Sequence, residues 1–153
     1  MKVVYLAAGC FWGVEHRLSQ LDGVIETQVG YMNGHTKNPT YKEVCTDTTG
    51  HAEVVKVTFD PKKLPFTDLL STFWQLHDPT TLNRQGPDVG TQYRSGIFFT
   101  DAEQKTQAEI SKQKVQSDFE DPIVTIIEPA EEFFPAEEYH QKYLIKNPGF
   151  CGI

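Results

Sequence analysis

No CxxC pair occurs in this chain, and only three of its 153 residues are cysteine: Cys10, Cys45 and Cys151. The missing pair argues against a structural zinc site, whose ligands commonly come at that spacing. Three is an odd number, in a chain too long to depend on cross-links, so a disulfide scaffold is not expected either. What remains for the thiols is burial, reactivity or both. Long apolar runs are also missing, and none approaches the roughly 18 residues that a membrane-spanning helix needs. The start, MKVVYLAAGCFWGV, places one lysine before apolar residues as a signal peptide does. Glu15, His16 and Arg17 follow at once, however, and a central β-strand explains the run, so a cytoplasmic protein is expected. Basic residues are scarce: 14 lysines and arginines stand against 21 aspartates and glutamates, a net charge of −7. Nucleic acid and anionic membrane both select cationic patches, so neither is expected as a partner.

What is present suits a soluble globular fold. Hydrophobic residues make up 39% of the chain and aromatics 12%, enough for one real core. The length predicts a single domain over residues 1–153, with a mobile tail from about residue 145. Val3 to Ala8 is short and continuously apolar, as in a strand covered on both faces. Val14, Leu18 and Leu21 follow at helical spacing, with Asp22-Gly23 as the stop. Val24 to Tyr31 reads as a strand, Asn33 to Tyr41 as turns, and His51 to Phe59 as a strand closed by Pro61 and Pro65. Leu69, Leu70, Phe73 and Leu76 mark an amphipathic helix. The polar stretch His77 to Arg94 is long for a compact domain, which points to a functional loop. Gly96 to Phe99 reads as a strand, and Thr100-Asp-Ala-Glu103 as a capping box opening a polar helix to about Val115. Ile123 to Ile127 reads as a strand and Ala136 to Leu144 as a short helix. Strands and helices alternate without a strict βαβ rhythm, which predicts a mixed α/β (α+β) fold in two layers.

Several residues stand out as candidates for chemistry. GCFWG, residues 9–13, puts Cys10 at a helix start. There the helix dipole and unpaired N–H groups stabilise thiolate and lower a cysteine pKa from about 8.5 toward 7 or below. Position alone leaves an inert buried cysteine equally open. Phe11 and Trp12 cannot both face the core of Val14 and Leu18, so at least one ring is expected beside the thiol, as an apolar wall for a methyl or thioether group. In HAEVVKVTF the side chains of Glu53, Val55, Val57 and Phe59 share one face. A carboxyl desolvated on that face stays protonated near neutral pH and can donate a proton, unless it lies at a frayed strand end in solvent. Asp88, Tyr41 and Tyr93 add a carboxylate and two hydroxyls. Cys151, flanked by glycines near the end, suits a resolving thiol better than a core position. Cys45, within YKEVC, reads as a packing residue.

Taken together, GCFWG, GY-x-x-G-x-x-x-NPTY, TGHAEVV, HDPTT, RQGPDVGTQYRSGI and YHQKYLIKNPGFCGI occur in order, from about Val3 to Cys151. The chain in this respect closely resembles the A-type peptide methionine sulfoxide reductases. The resemblance implies a two-layer fold on a mixed sheet with a ferredoxin-like core. It implies reduction of the S epimer of methionine sulfoxide, free or in proteins. Cys10 would be the nucleophile, becoming a sulfenic acid, and Glu53 the proton donor. Tyr41 and Tyr93 would bind the sulfoxide oxygen, with Asp88 as an active-site carboxylate. Phe11 and Trp12 would form the methyl pocket, with His140 and Tyr143 lining the site. Cys151 would resolve the sulfenic acid through a Cys10–Cys151 disulfide, recycled by thioredoxin. No cofactor or metal is expected, and a monomer is expected. The chain departs from the pattern twice. It stops at Ile153 without a further cysteine, implying a two-cysteine cycle, and Phe150 stands where tyrosine is common. Outside the resemblance, Cys10 with His140 or His51 as base would suit a hydrolase. Peroxide reduction, or non-catalytic binding of oxidised peptides, would also use parts of the same set.

Overall fold

The computed structural model describes residues 1–147. Of the tail expected from about residue 145, residues 145 and 146 close a short helix, and the part from residue 148, with Phe150 and Cys151, lies outside the described residues. The elements are β1 (Lys2–Ala8), α1 (Phe11–Ser19), β2 (Val24–Met32), α2 (Tyr41–Cys45), β3 (Ala52–Phe59) and α3 (Phe66–Leu76). The two-residue strands β4 (Arg84–Gln85) and β5 (Asp88–Val89) come next, then β6 (Ser95–Phe99), α4 (Ala102–Val115), β7 (Ile126–Pro129), β8 (Phe133–Pro135) and α5 (Tyr143–Lys146).

The main sheet has the order β7-β6-β1-β3-β2-β8, with only β6 and β7 parallel. Its middle, β6-β1-β3-β2, is antiparallel throughout, and α1 and α3 are the two crossovers. This is the split βαβ arrangement of a ferredoxin-like core. The fold is thus the mixed α/β two-layer type that the residue patterns predict. The core sits between sheet and helices, with Leu6, Val55 and Val57 from the strands against Val14, Leu18, Leu69 and Phe73 from α1 and α3. Each such fully buried side chain contributes about 1.5–3 kcal/mol through its removal from water. A smaller cluster on the opposite face gathers Ala7, Met32, Val54 and Phe98 under the partly buried Ile126 and Phe133.

Four local expectations change. The cap of α4 is Asp101, whose carboxylate accepts from Gln104 N at 2.8 Å. Thr100 is occupied elsewhere, donating its hydroxyl to Val3 O at 2.6 Å, so the cap falls one residue later than TDAE suggests and no capping box forms, the Gln104 side chain accepting from Thr100 N instead. The strand expected at Ile123 to Ile127 begins only at Ile126. Ile123 and Thr125 are buried as extended chain outside the sheet, with Val124 N donating to Pro79 O at 2.8 Å. The helix expected over Ala136 to Leu144 is a 3-10 turn at Glu138–His140, and α5 begins only at Tyr143. Lys142, at φ 56°, separates the two. The turn-rich segment ends in α2, whose Thr40 cap and Glu43 form a complete capping box.

Candidate active site

The turn between β1 and α1 rests on Gly9, whose φ of 97° is left-handed. A Cβ there would also lie 2.8 Å from Cγ of Gln85, so glycine is needed twice over. Gln85 in turn grips the long loop, accepting from Asp78 N at 2.9 Å and donating to Asp78 O at 2.8 Å. Cys10 is the N-cap of α1, half-buried, as GCFWG predicts.

Next to it stands Glu53, 1% exposed. β3 carries it on the same face as Val55, Val57 and Phe59, all buried, so it lies in the desolvated setting and not at a solvated strand end. One carboxyl oxygen accepts from Phe11 N at 3.2 Å, in the first turn after Cys10. The other, Oε2, is buried without a partner. Burial dominates its acidity and pushes its pKa up to about 8, against the lowering effect of the Phe11 N–H, with the Asp88 carboxylate raising it further.

The thiol behaves differently from the sequence expectation. The pKa of Cys10 is pushed up to about 12, first by burial and then by the charge on Glu53. The N–H groups of Trp12 and Gly13 act in the lowering direction that a helix start supplies, and Asp88 adds a smaller rise. Desolvation outweighs the dipole because a nine-residue helix offers only fractional charge, whereas a buried thiolate loses most of its hydration.

Tyr41 and Tyr93 complete this corner. Burial raises both hydroxyls, and the charge of Glu53 raises both further. Tyr41 opens α2, where its N–H donates to Glu137 Oε2 at 3.0 Å. Tyr93 follows the β4–β5 hairpin, which Thr91 N ties to Asp47 Oδ1 at 3.1 Å. Asp88, half-buried on β5, is close enough to act on Cys10, Glu53 and Tyr93. These five predicted residues are therefore together.

The two rings after Cys10 part company. Phe11 is 1% exposed and packs into the core against Tyr31 and His140, with centroids 5.7 and 5.3 Å away. Trp12 is only partly buried, and its indole stacks on Tyr143 at 3.9 Å and 8°. Its N–H donates to His140 Nδ1 at 2.9 Å, which leaves the proton of a neutral His140 on Nε2. His140 is fully buried, and burial lowers its pKa. Among the described residues no cluster of histidine, cysteine or acidic side chains could hold a metal ion.

Four residues read differently in three dimensions. Cys45 is exposed, not a packing residue; burial and the charge of Glu53 raise its pKa, against the lowering effect of the nearby Tyr41 side chain. Spacing i, i+4 from Tyr41 was the available signal. His51 is no free base, because Nδ1 accepts from Gly34 N at 3.0 Å and Nε2 meets Thr36 O at 2.7 Å. At His140 only Nδ1 is engaged, by Trp12; Nε2 is buried without a partner and carries the proton, so the neutral ring has no free lone pair to act as a base. Glu137, which no local sequence pattern singles out, accepts from the Tyr31 hydroxyl at 3.1 Å as well as from Tyr41 N.

The chain is similar to known proteins over nearly its whole length. A family model described as peptide methionine sulfoxide reductase matches residues 2–152. A peptide methionine sulfoxide reductase MsrA of Methanothermobacter thermautotrophicus is 61% identical over 143 residues, covering 92% of this chain and 85% of the relative. That of Alkaliphilus metalliredigens is 53% identical over 154 residues, covering 100% and 98%. Among solved structures, the reduced form of Mxr1 from Saccharomyces cerevisiae superposes with a TM-score of 0.94 at 42% identity, covering 99% of this chain and 88% of that one. Mxr1 in complex with Trx2 superposes with a TM-score of 0.67 at 30% identity, covering 93% and 84%.

Proposed function

The chain belongs to the peptide methionine sulfoxide reductase family, and from that premise we propose that it reduces the S epimer of methionine sulfoxide using Cys10 as nucleophile and Glu53 as acid. The observation that carries the assignment of roles is the orphaned Oε2 of Glu53. A buried carboxyl that stays protonated to about pH 8, beside a half-buried thiol, has a proton to give and no protein acceptor for it. A sulfoxide oxygen placed there would take that bond.

The chemistry requires such a group. Sulfoxide sulfur is electrophilic, but its oxygen leaves poorly unless it is protonated or strongly hydrogen-bonded. Glu53 gives its proton to the oxygen as the Cys10 sulfur attacks, and it takes up the proton that the thiol loses. Tyr41 and Tyr93 donate to the same oxygen, as oxyanion donors do. The oxygen then passes to Cys10 as sulfenic acid, methionine leaves, and the proton count is unchanged. Asp88 helps to hold the proton on Glu53. Trp12 offers the wall for the methyl group, with Phe11 beneath it and His140 and Tyr143 behind.

In this reading Cys151 attacks the sulfenic acid, forming a Cys10–Cys151 disulfide and water. A thioredoxin then reduces the disulfide; the yeast relative's complex with Trx2 supports this choice of reductant. A cytoplasmic monomer that repairs oxidised methionine in proteins, or free, fits the acidic composition.

The test is incubation with racemic methionine sulfoxide and dithiothreitol, followed by chiral analysis. Consumption of the S epimer alone is the expected outcome. Consumption of both epimers equally would overturn the stereochemical assignment, and consumption of the R epimer alone would reverse it.

A further inference from the structure

Four consecutive residues near the end of the described chain are each pinned by a different contact. His140 accepts from the Trp12 indole. Gln141 pairs with the backbone of Val29 through both ends of its amide, at 2.9 and 3.0 Å. Lys142 donates its N–H to Glu15 Oε1 at 2.7 Å. Its ammonium meets Glu15 Oε2, Thr27 O and Thr27 Oγ1 at 3.0, 2.6 and 2.9 Å. Tyr143 lies flat on the Trp12 indole.

The Lys142 contact is a fully satisfied polar site in the side of the core. Glu15 and Thr27 are 1% and 4% exposed. The Thr27 hydroxyl donates to Glu15 Oε2 at 2.9 Å, and the three ammonium protons have three acceptors. Only Glu15 is buried; the Lys142 side chain is 40% exposed, so the pair contributes weakly to net stability but strongly to geometry, since losing the ammonium leaves the buried Glu15 charge unpaired. The geometry imposed here is specific: Lys142 adopts φ 56°, a left-handed turn that lysine rarely takes. Trp12 and Glu15 lie three apart on α1 and so share a face. Glu15 therefore grips the residue between the two that hold the indole.

We propose that Glu15, Thr27 and Lys142 form a positioning clasp that sets the left-handed turn, so that His140 and Tyr143 hold Trp12 as a rigid wall admitting a sulfoxide methyl and excluding larger S-alkyl groups. The proposal rests on the reading of Trp12 as the methyl wall. None of the three residues touches the reacting atoms; they act through the indole.

The experiment compares kcat and KM for methionine sulfoxide and for its S-ethyl analogue, ethionine sulfoxide, with dithiothreitol as reductant. The proteins are wild type, Lys142→Gly, Glu15→Gln and Trp12→Ala. Glycine takes a left-handed turn freely, so Lys142→Gly removes the ammonium without imposing a new conformation. Glu15→Gln is nearly isosteric, keeps an oxygen for the Lys142 N–H, and carries the comparison should Lys142→Gly not fold.

One methylene in an apolar pocket discriminates by about 10- to 200-fold. The clasp variants should lower the methyl-to-ethyl ratio of kcat/KM by roughly 5- to 10-fold, with KM for the methyl substrate rising more than kcat falls. A purely structural role would depress both substrates alike and leave the ratio unchanged. An unchanged ratio in the folded clasp variants, with a lowered ratio in Trp12→Ala, would overturn the clasp. An unchanged ratio in Trp12→Ala would instead overturn the wall on which it rests.

Discussion

Burial acts on Glu53 and Cys10 in the same direction but with opposite chemical use. In the proposed reaction it keeps the acid loaded, which that chemistry needs, and it keeps the nucleophile protonated, which that chemistry must undo. A protonated Glu53 eases that, because its charge is one cause of the raised thiol pKa. The two residues are best regarded as one proton-sharing unit. If Glu53 is the acid, kcat/KM should hold steady below neutrality and fall as pH rises through about 8, where the carboxyl ionises. Glu53→Gln should lower the single-turnover rate by about a hundredfold to ten-thousandfold and lose that falling limb. A retained limb in the variant would assign it to another group, and an unchanged rate would remove the acid role. Both residues were legible in the sequence, for different reasons. Period-two alternation placed Glu53 on an apolar face, and glycines around a thiol after an apolar run placed Cys10 at a turn. What the sequence left open was the balance between dipole and desolvation at the thiol. That depends on what covers it in space, including Asp88 from a hairpin 78 positions away (88 − 10).

Short elements do most of the positioning at the next scale. α2 has only five residues, too few for any hydrophobic period to declare it, yet it delivers Tyr41 and Cys45 to the site. Its stability rests on reciprocal bonds, Glu43 N to Thr40 Oγ1 at 3.2 Å and Thr40 N to Glu43 Oε1 at 2.9 Å. Thr40→Ala should cost about 1 kcal/mol of stability. It should also lower kcat/KM severalfold, because Tyr41 opens the helix that the cap holds. Urea denaturation with parallel kinetics would check this; equal stability with unchanged kinetics would mean that Glu137, through the Tyr41 N–H, suffices alone. The same scale explains the sequence misreadings. Local pattern found β1, β3, α1 and α3, whose periodicity is enforced by burial along their whole length. It failed over Ala136 to Leu144, where Glu15, far away in the chain, bends a helical pattern at Lys142. It misplaced β7 because β-branched Ile123 and Thr125 cover the core without joining the ladder. Neither contact has a local signature.

Across the whole molecule, two titratable groups make stability depend on pH with opposite signs. His77 bonds Phe73 O at 2.9 Å and Ser95 Oγ at 2.7 Å, and burial takes its pKa down to about 4. The unfolded chain binds that proton below about 6.5, so stability falls as pH drops from there toward 4, by about 3 kcal/mol in all. Glu53 works the other way. Its folded pKa of about 8 lies above the unfolded value of 4.5, so the native state holds a proton that the unfolded chain gives up. Stability is then greatest below 4.5 on this account and falls as pH rises toward 8, by about 3–5 kcal/mol. Between 4.5 and 6.5 the slope from Glu53 is opposed by that from His77 and, in the same direction as His77, from the buried His140. From 6.5 to about 8 Glu53 dominates, since a cysteine or tyrosine of the unfolded chain ionises only near 9.0 or 10.0 and the raised folded values of Cys10 and the buried tyrosines act only from there upward. The urea midpoint of the wild-type protein should therefore decline between pH 6.5 and 8.5. Glu53→Gln should remove that decline and be the more stable protein at pH 8.5, while being the poorer enzyme. Parallel declines in both proteins would mean that Glu53 does not titrate there, and the general-acid assignment would lose its electrostatic basis. A flat Glu53→Gln profile would show stability given up by the fold to keep one proton available for the sulfoxide oxygen.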